Sequence, residues 1–381
     1  MIRMTRFALG TLPALGLLIA ATPALALPRY AARYEQNCAL CHVNPAGGGL
    51  RTTYATQYLA PTELVLRPYS PEGLEKIDPQ VSKSILIGAD FRTMYHASDD
   101  HSEYPNFFNM QGDFYAQYQS DPRFMLYFDK GLSRSTEAWA LGYVLPWTGY
   151  IKVGRFSPPF GWRFADHTAF VKDKLGLFPP GDSDTGIEFG ISPGRLDVQA
   201  AVLNGALGSV SDSDKRVSHV VNVTRQATLG EVGGIGTLGI ALGAGYWHDQ
   251  FPGGARSTGG PHGYLKAGRA IWLGQADWSR IESEAAAPHT EWVTSHEVTY
   301  EFLQGTYLRA TYDFLDPDLD RKTGSRSRLG LGFDFLPVPS VGVMAMWNVF
   351  RHDEARPDGN APAPNLGDEY EQLEVQLHLF Y

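Results

Sequence analysis

Both cysteines of the chain fall within five residues, Cys38-Ala39-Leu40-Cys41-His42. Cys-x-x-Cys-His is the spacing of covalent c-type haem attachment. Two thiols at this separation reach the two vinyl groups of one porphyrin, and the adjacent imidazole reaches the iron. Cys38 and Cys41 are therefore candidate thioether residues, and His42 is the candidate axial ligand of one covalent haem c. Three other uses compete. A structural zinc site needs about four ligands, and neither a second cysteine pair nor a nearby H-x-x-x-H is present. A thioredoxin-like redox pair needs a βαβ setting, and a plain disulfide in an oxidising compartment leaves His42 without a role.

The residues after the motif, "VNPAGGGLRTTYATQYLAP", suggest how a porphyrin would be housed. Pro45 and Gly47 to Gly49 break the chain, and 50–59 reads as a helix of about two to three turns ended by Pro61. The glycines would let backbone lie flat against the porphyrin, and Tyr54 and Tyr58, one turn apart, would pack on it. A flexible link with a short surface helix fits the same residues equally well.

Two features place the motif in an exported protein. Arg3 and Arg6 precede an apolar stretch over 7–21, and Ala24-Leu25-Ala26 has the form of a cleavage site, so residues 1–26 read as a signal peptide. The apolar stretch is shorter than the ~20 residues of a spanning helix. The net charge of −9, with no Lys/Arg run to offset it, excludes a nucleic-acid partner.

Beyond about residue 80 the chain changes texture. Charged residues are only 19% and aromatics 12%, with 41 glycines and 19 tyrosines, a composition of strands rather than helices. Segments of roughly ten residues alternate in polarity. In 85–96, Ile85, Ile87, Ala89 and Phe91 share one parity, while Asp90, Arg92, Met94 and His96 share the other. About sixteen such strands follow, at 84–96, 107–119, 123–132, 137–145, 149–156, 185–192, 195–204, 218–226, 236–247, 262–269, 272–283, 291–303, 305–315, 325–336, 341–352 and 369–381. Tight links such as "SDPR", "SPG" and "QG" trade places with longer ones at 97–106, 157–184, 205–217, 248–261, 316–324 and 353–368. The fold class is therefore all-β: a transmembrane antiparallel β-barrel of about sixteen strands in outer-membrane lipid, with both chain ends in the periplasm. The expected organisation is a signal peptide at 1–26, a haem-binding segment at 27–80 and a barrel at 81–381. A soluble β-sandwich would also alternate, but it does not call for this strand number and loop rhythm.

The closing "LEVQLHLFY" resembles the final-strand signal of outer-membrane porins, and "LPRYAARYEQNCALCH" at 27–42 resembles the start of another family. That family is the outer-membrane cytochrome-porin fusions of iron-oxidising bacteria, which join one N-terminal c-type haem to a porin-like barrel. The resemblance implies an electron conduit across the outer membrane, with an extracellular donor such as Fe(II) and a periplasmic cytochrome as acceptor, and with Cys38, Cys41 and His42 holding the haem. It implies an Fe(II)-oxidising activity only where the pattern is complete. The family continues with Pro-x-Leu-Asn and Phe-Gly-Arg, where this chain has "HVNPAGGGLRTTYA". Met94, His96 and His378, on lumen parities, are candidates for a second iron ligand.

An alternative function is an anion-permeable diffusion porin without a redox role. The stretch "VGRFSPPFG" resembles the strand and loop start of phosphate-selective porins, and the long loop 157–184 carries Arg163, Lys172 and Lys174. Folded inward, such a loop would constrict the pore and favour anions. Acidic clusters at Asp99, Asp100 and Glu103, and at Asp316, Asp318 and Asp320, could instead attract Fe(II), although exposed loops are commonly charged.

Overall fold

The structure, a computed structural model, describes residues 28–99, 104–132, 136–177, 182–209, 211–212, 214–321, 324–353 and 369–381. The expected signal peptide lies outside the described residues. A short strand, β1 (Gln80–Ser82), leads into β2 (Ile85–Ser98), the first of sixteen strands that pair antiparallel with their neighbours in sequence. The last, β17 (Glu369–Phe380), pairs back onto β2 from Gln372↔Ser98 to Phe380↔Asp90 and closes the barrel. Closure leaves no open edge, the condition for strands to cross a lipid bilayer.

Alternation sets which face is which. On β17, Leu373, Val375, Leu377 and Leu379 are exposed on the outside, and Glu374 and Gln376 are buried inside. On β15 (Arg326–Phe335), Leu329, Leu331 and Phe333 point out while Arg328 is buried. This polarity is inverted relative to a soluble protein, as a lipid-facing exterior and a polar lumen require. A closed barrel of this kind belongs to the bacterial outer membrane.

All sixteen expected strands are present, with ends shifted by a few residues. One expected loop is not a loop. Residues 248–261 continue β10 (Gly236–Phe251) and β11 (Gly254–Ala267), with His248↔Ser257 and Asp249↔Arg256 in register. The Gly/Pro texture there has another cause. A Cβ at Gly254 or Gly260 would overlap the carbonyl of Glu282 or Ala276 on the next strand, so these glycines permit close strand approach.

Residues 28–80 do not form a separate body beside the barrel. They enter it from the end that carries the short turns. Backbone N–H groups of Leu66 and Arg67 donate to the carbonyls of Leu336 and Pro337 at 2.9 and 3.1 Å, and the Gln304 amide donates to the Thr62 and Val65 carbonyls, both at 3.0 Å. Leu59, Ala60, Leu64 and Val65 pack on Tyr307 and Leu336; each fully buried Leu or Val contributes roughly 1.5–3 kcal/mol. The helix expected to stop at Pro61 runs through it. Ala55–Leu59 is a π-helical turn and Ala60–Glu63 continues as α-helix, so Pro61 falls in the first turn of the latter, where no N–H donor is needed.

Leu331→Arg places a charge on the outward face near mid-strand, where it costs about 2–4 kcal/mol. The urea midpoint of the barrel refolded in lipid vesicles should fall accordingly; an unchanged midpoint would mean that this face does not meet lipid.

Candidate functional site

The lumen is occupied from both ends. From the short-turn end come residues 28–66, and from the opposite end comes the long connection after β6 (Gly149–Phe156), which folds inward as expected. Wall side chains receive it. Trp162 N–H donates to Gln275 Oε1 at 2.7 Å, its indole to the Gly263 carbonyl at 3.0 Å, and Phe170 N–H to Asp313 Oδ1 at 3.1 Å. Arg328 then binds Asp313 and Asp166 at 2.6 and 2.7 Å, so buried charge on the loop has a counter-ion on the wall. Lys174 leaves the lumen centre and pairs with Glu291.

The Cys-x-x-Cys-His motif lies in the inner part of the N-terminal segment. Cys38–Cys41 is a single helical turn, and the His42 N–H donates to the Cys38 carbonyl at 2.7 Å. His42 and Arg51 then face each other as an antiparallel bridge, with Val43 N–H donating to the Leu50 carbonyl at 2.9 Å and Thr52 N–H to the Cys41 carbonyl at 3.0 Å. The tip of this hairpin is Gly47-Gly48-Gly49, all at positive φ (84°, 77° and 64°). At Gly47 a Cβ would crowd Cys38 Sγ, and at Gly49 it would overlap the Tyr127 hydroxyl.

The wall fixes the hairpin at depth. Tyr127 OH accepts from Leu50 N–H at 3.3 Å, and Lys152 Nζ donates to Asn44 Oδ1 at 3.3 Å. Lys152 pairs with Glu188, its cross-strand neighbour on β7 (Asp184–Ile191), at 2.6 Å, and both side chains are wholly buried. Asn44, Lys152, Glu188 and Tyr150 were not singled out from the sequence. Lys152 and Glu188 sit on lumen parity and could have been found there; Asn44 carried no signal.

Hairpin and loop enclose a cavity of ≈ 480 Å³ lined by Cys38, Cys41, His42, Gly47 to Gly49 and the loop from Ser157 to Thr168. Both thiols are free. Burial pushes Cys38 up to about 12, reinforced by Asp197 and opposed by Arg163, and pushes Cys41 up to about 11. Burial, then Arg51, lowers His42 to about 4, leaving a neutral imidazole, and its Nδ1 is buried with no hydrogen-bond partner. The glycines line the cavity. Tyr54 and Tyr58 do not; they contact each other at 5.5 Å between ring centroids and are about half exposed.

Of the candidate second ligands, Met94 and His378 line the cavity, and His378 is hydrogen-bonded to Asp90. His96 instead meets Gln372 at 3.1 Å, toward the other end of β2. Asp316 and Asp318 accept backbone N–H bonds from residues two further on, and Asp318 pairs with Arg321 at 3.0 Å. These are turn-forming contacts. Asp100 and Glu103 lie outside the described residues. Among the described residues no three His, Cys, Asp or Glu side chains are grouped to hold a metal ion.

The closed barrel is similar to solved structures. The chain is similar to OmpT of Vibrio cholerae, in its in-vitro folded trimer form, with a TM-score of 0.57 at 12% identity, covering 78% of this chain and 99% of that one. The fold is that of outer-membrane porins. An anion-selective porin from Comamonas acidovorans gives a TM-score of 0.55 at 9% identity, over 78% of this chain and 99% of that one. OprB of Pseudomonas putida gives 0.55 at 10%, over 78% and 94%. No family model and no curated protein matches the sequence.

Two outcomes test this geometry. Gly49→Ala, strained by ~1–2 kcal/mol at positive φ and by overlap with Tyr127, should dislodge the hairpin. Trypsin should then cut after Arg51 while the barrel keeps its heat-modifiable gel mobility; continued resistance would show that Gly49 is not a fixed contact. The raised thiol values mean less thiolate at any given pH. Iodoacetamide should label the haem-free folded chain at pH 8 about ten- to a hundredfold more slowly than free cysteine, accelerating as pH rises toward 11. Labelling at the rate of free cysteine at pH 8 would contradict burial of the motif.

Proposed function

We propose that this protein is an outer-membrane electron conduit that holds one covalent haem c in the lumen cavity. Cys38 and Cys41 would carry the thioether bonds and His42 would be the axial ligand. The carrying observation is the convergence of both free thiols and an imidazole with an unpartnered buried nitrogen on one cavity, whose volume falls within the ~300–1,000 Å³ of cofactor sites. A haem c supplies one-electron redox chemistry when bound.

The chain's own residues account for the remainder. Residues 28–80 make a haem-binding segment built into the mouth of the barrel. Burial keeps the His42 ring neutral and the two sulfurs protonated until they are used. Gly47 to Gly49 present backbone without side chains to the cavity, and Trp162 and Phe164 on the loop limit water from the outer side. The electron would come from an extracellular donor such as Fe(II) and leave to a periplasmic cytochrome.

A second reading is an anion-permeable diffusion channel, and the fold comparisons favour it, since the similar solved structures are porins and one is described as anion-selective. Arg163 and Lys172, carried into the lumen by the loop, suit that reading.

Protein made with c-type maturation should retain haem through a denaturing gel and show a c-type absorption band on reduction. Cys41→Ala should abolish both while leaving heat-modifiable mobility intact. In planar bilayers the haem-bearing chain should conduct weakly. A colourless barrel with large, anion-selective conductance would overturn the conduit and establish the channel.

A further inference from the structure

Several buried cations of the lumen have a close carboxylate partner. Lys152 pairs with Glu188 at 2.6 Å, Arg309 with Glu297 at 2.7 Å, and Arg328 with Asp313 at 2.6 Å. Four cations lining the cavity differ: Arg51 after the glycine turn, Arg92 on β2, and Arg163 and Lys172 on the loop.

Arg51 and Arg92 share one carboxylate, Asp90, at 3.4 and 3.5 Å, well beyond the ~2.7–2.9 Å of a strong charge-assisted bond. Asp90 is also bonded to His378. Arg51 Nη1 is buried without a hydrogen-bond partner, while Arg92 reaches Asp90 through Nε and His167 Nε2 through Nη1 at 3.3 Å. Arg163 and Lys172 donate only to neutral carbonyls among the described residues, those of Ser157 at 3.4 Å and Phe164 at 3.3 Å. The nearby Asp166 is already held by Arg328 at 2.7 Å. Asp113, Asp129 and Glu137 line the same cavity, on β3 (Asn106–Asp121), β4 (Phe124–Gly131) and β5 (Thr136–Leu145), as does Asp182.

The four groups belong to one electrostatic site. Asp182, Arg163, Asp166 and Arg92 all bear on Lys172, and Arg51 and Arg163 on His42; among the described residues Asp182 is the one carboxylate whose charge faces both Lys172 and Arg163, without a hydrogen bond to either. Arg163 Nη1 also lies against the glycine tip, within 3.3 Å of where a Gly48 Cβ would stand. Under-paired guanidinium groups in a buried cavity call for carboxylate, because a planar fork matches its two oxygens.

We infer that Arg51, Arg92, Arg163 and Lys172 form a carboxylate-binding site beside the Cys38-Cys41-His42 hairpin. Two sources share this chemistry: the carboxylates of a bound haem, which rests on the conduit reading, and a free dicarboxylate in the lumen, which does not. The test uses the full chain made without c-type maturation, folded in detergent and titrated calorimetrically with succinate. Saturable binding is expected, weakened at least tenfold in Arg163→Gln/Lys172→Gln and independently in Arg92→Gln, with Arg216→Gln on the outer loop 204–217 unchanged. Heat-modifiable mobility verifies that each variant is folded. Loss of succinate binding once haem is attached would assign the site to the haem carboxylates, and retained binding would assign it to free anions; both support the site. Absence of saturable binding in the haem-free chain, or binding indifferent to all three substitutions, overturns it. A chain that never takes up haem refutes the conduit while leaving this titration decisive.

Discussion

Closing sixteen strands into one barrel creates a lumen wider than inward side chains can fill, and everything else in this molecule answers that constraint. Space inside a membrane barrel is filled by water or by chain, and chain brought inside must satisfy its own backbone groups. Here the polar parity of the wall does so. Gln275 and Asp313 accept from the backbone of the loop, Tyr127 accepts from Leu50, and Gln304 donates to Thr62 and Val65. The alternation that faces leucine to lipid therefore also supplies the hydrogen-bonding partners of two intruding segments.

The candidate site exists because those segments meet only in part, with Arg163 of the loop against the glycine tip. The hairpin rises from the short-turn end and the loop descends from the other, and the cavity is what remains between them. Its chemistry follows from that placement. Burial keeps the thiols protonated and His42 neutral, while the loop delivers Arg163 and Lys172 to the same volume. Neither segment alone encloses the cavity, so barrel and motif are one structural unit in spite of their different sequence textures.

Much of the barrel was legible because its signal is local. Period-two polarity is a property of each strand, and the alternation of Arg328 with Leu329 and Leu331 reads the same in sequence and in space. Legibility failed where residue type had a non-local cause. Gly254 and Gly260 look like loop residues, but a neighbouring carbonyl requires them. Pro61 looks like a helix stop, but a π-turn before it places it in the first turn of a new α-helix, where no donor is needed. The Cys-x-x-Cys-His spacing identified three residues, yet the convergence of Arg51, Arg92, Arg163 and Lys172 depends on loop entry and hairpin depth, which one-dimensional pattern does not encode.

What holds the hairpin in place bears on both readings of function, because a conduit needs a permanent plug and a channel needs a path past it. At the mouth the segment is tied by part-buried ion pairs, Arg33 with Glu301 and Lys266 with Glu35, which added salt weakens, and further in by the more buried pair of Arg29 with Asp334. Deeper in, it is held by Leu50 against Tyr115 and Tyr127, by the packing of Leu59, Leu64 and Val65, and by the wholly buried Lys152–Glu188 pair that reaches Asn44. Apolar packing is not screened by ions, and a desolvated pair is screened far less than a surface one. Salt should therefore loosen the rim without freeing the plug, and the free space left beside the hairpin is the cavity lined by Arg51, Arg92 and Arg163 together with Cys38 and His42.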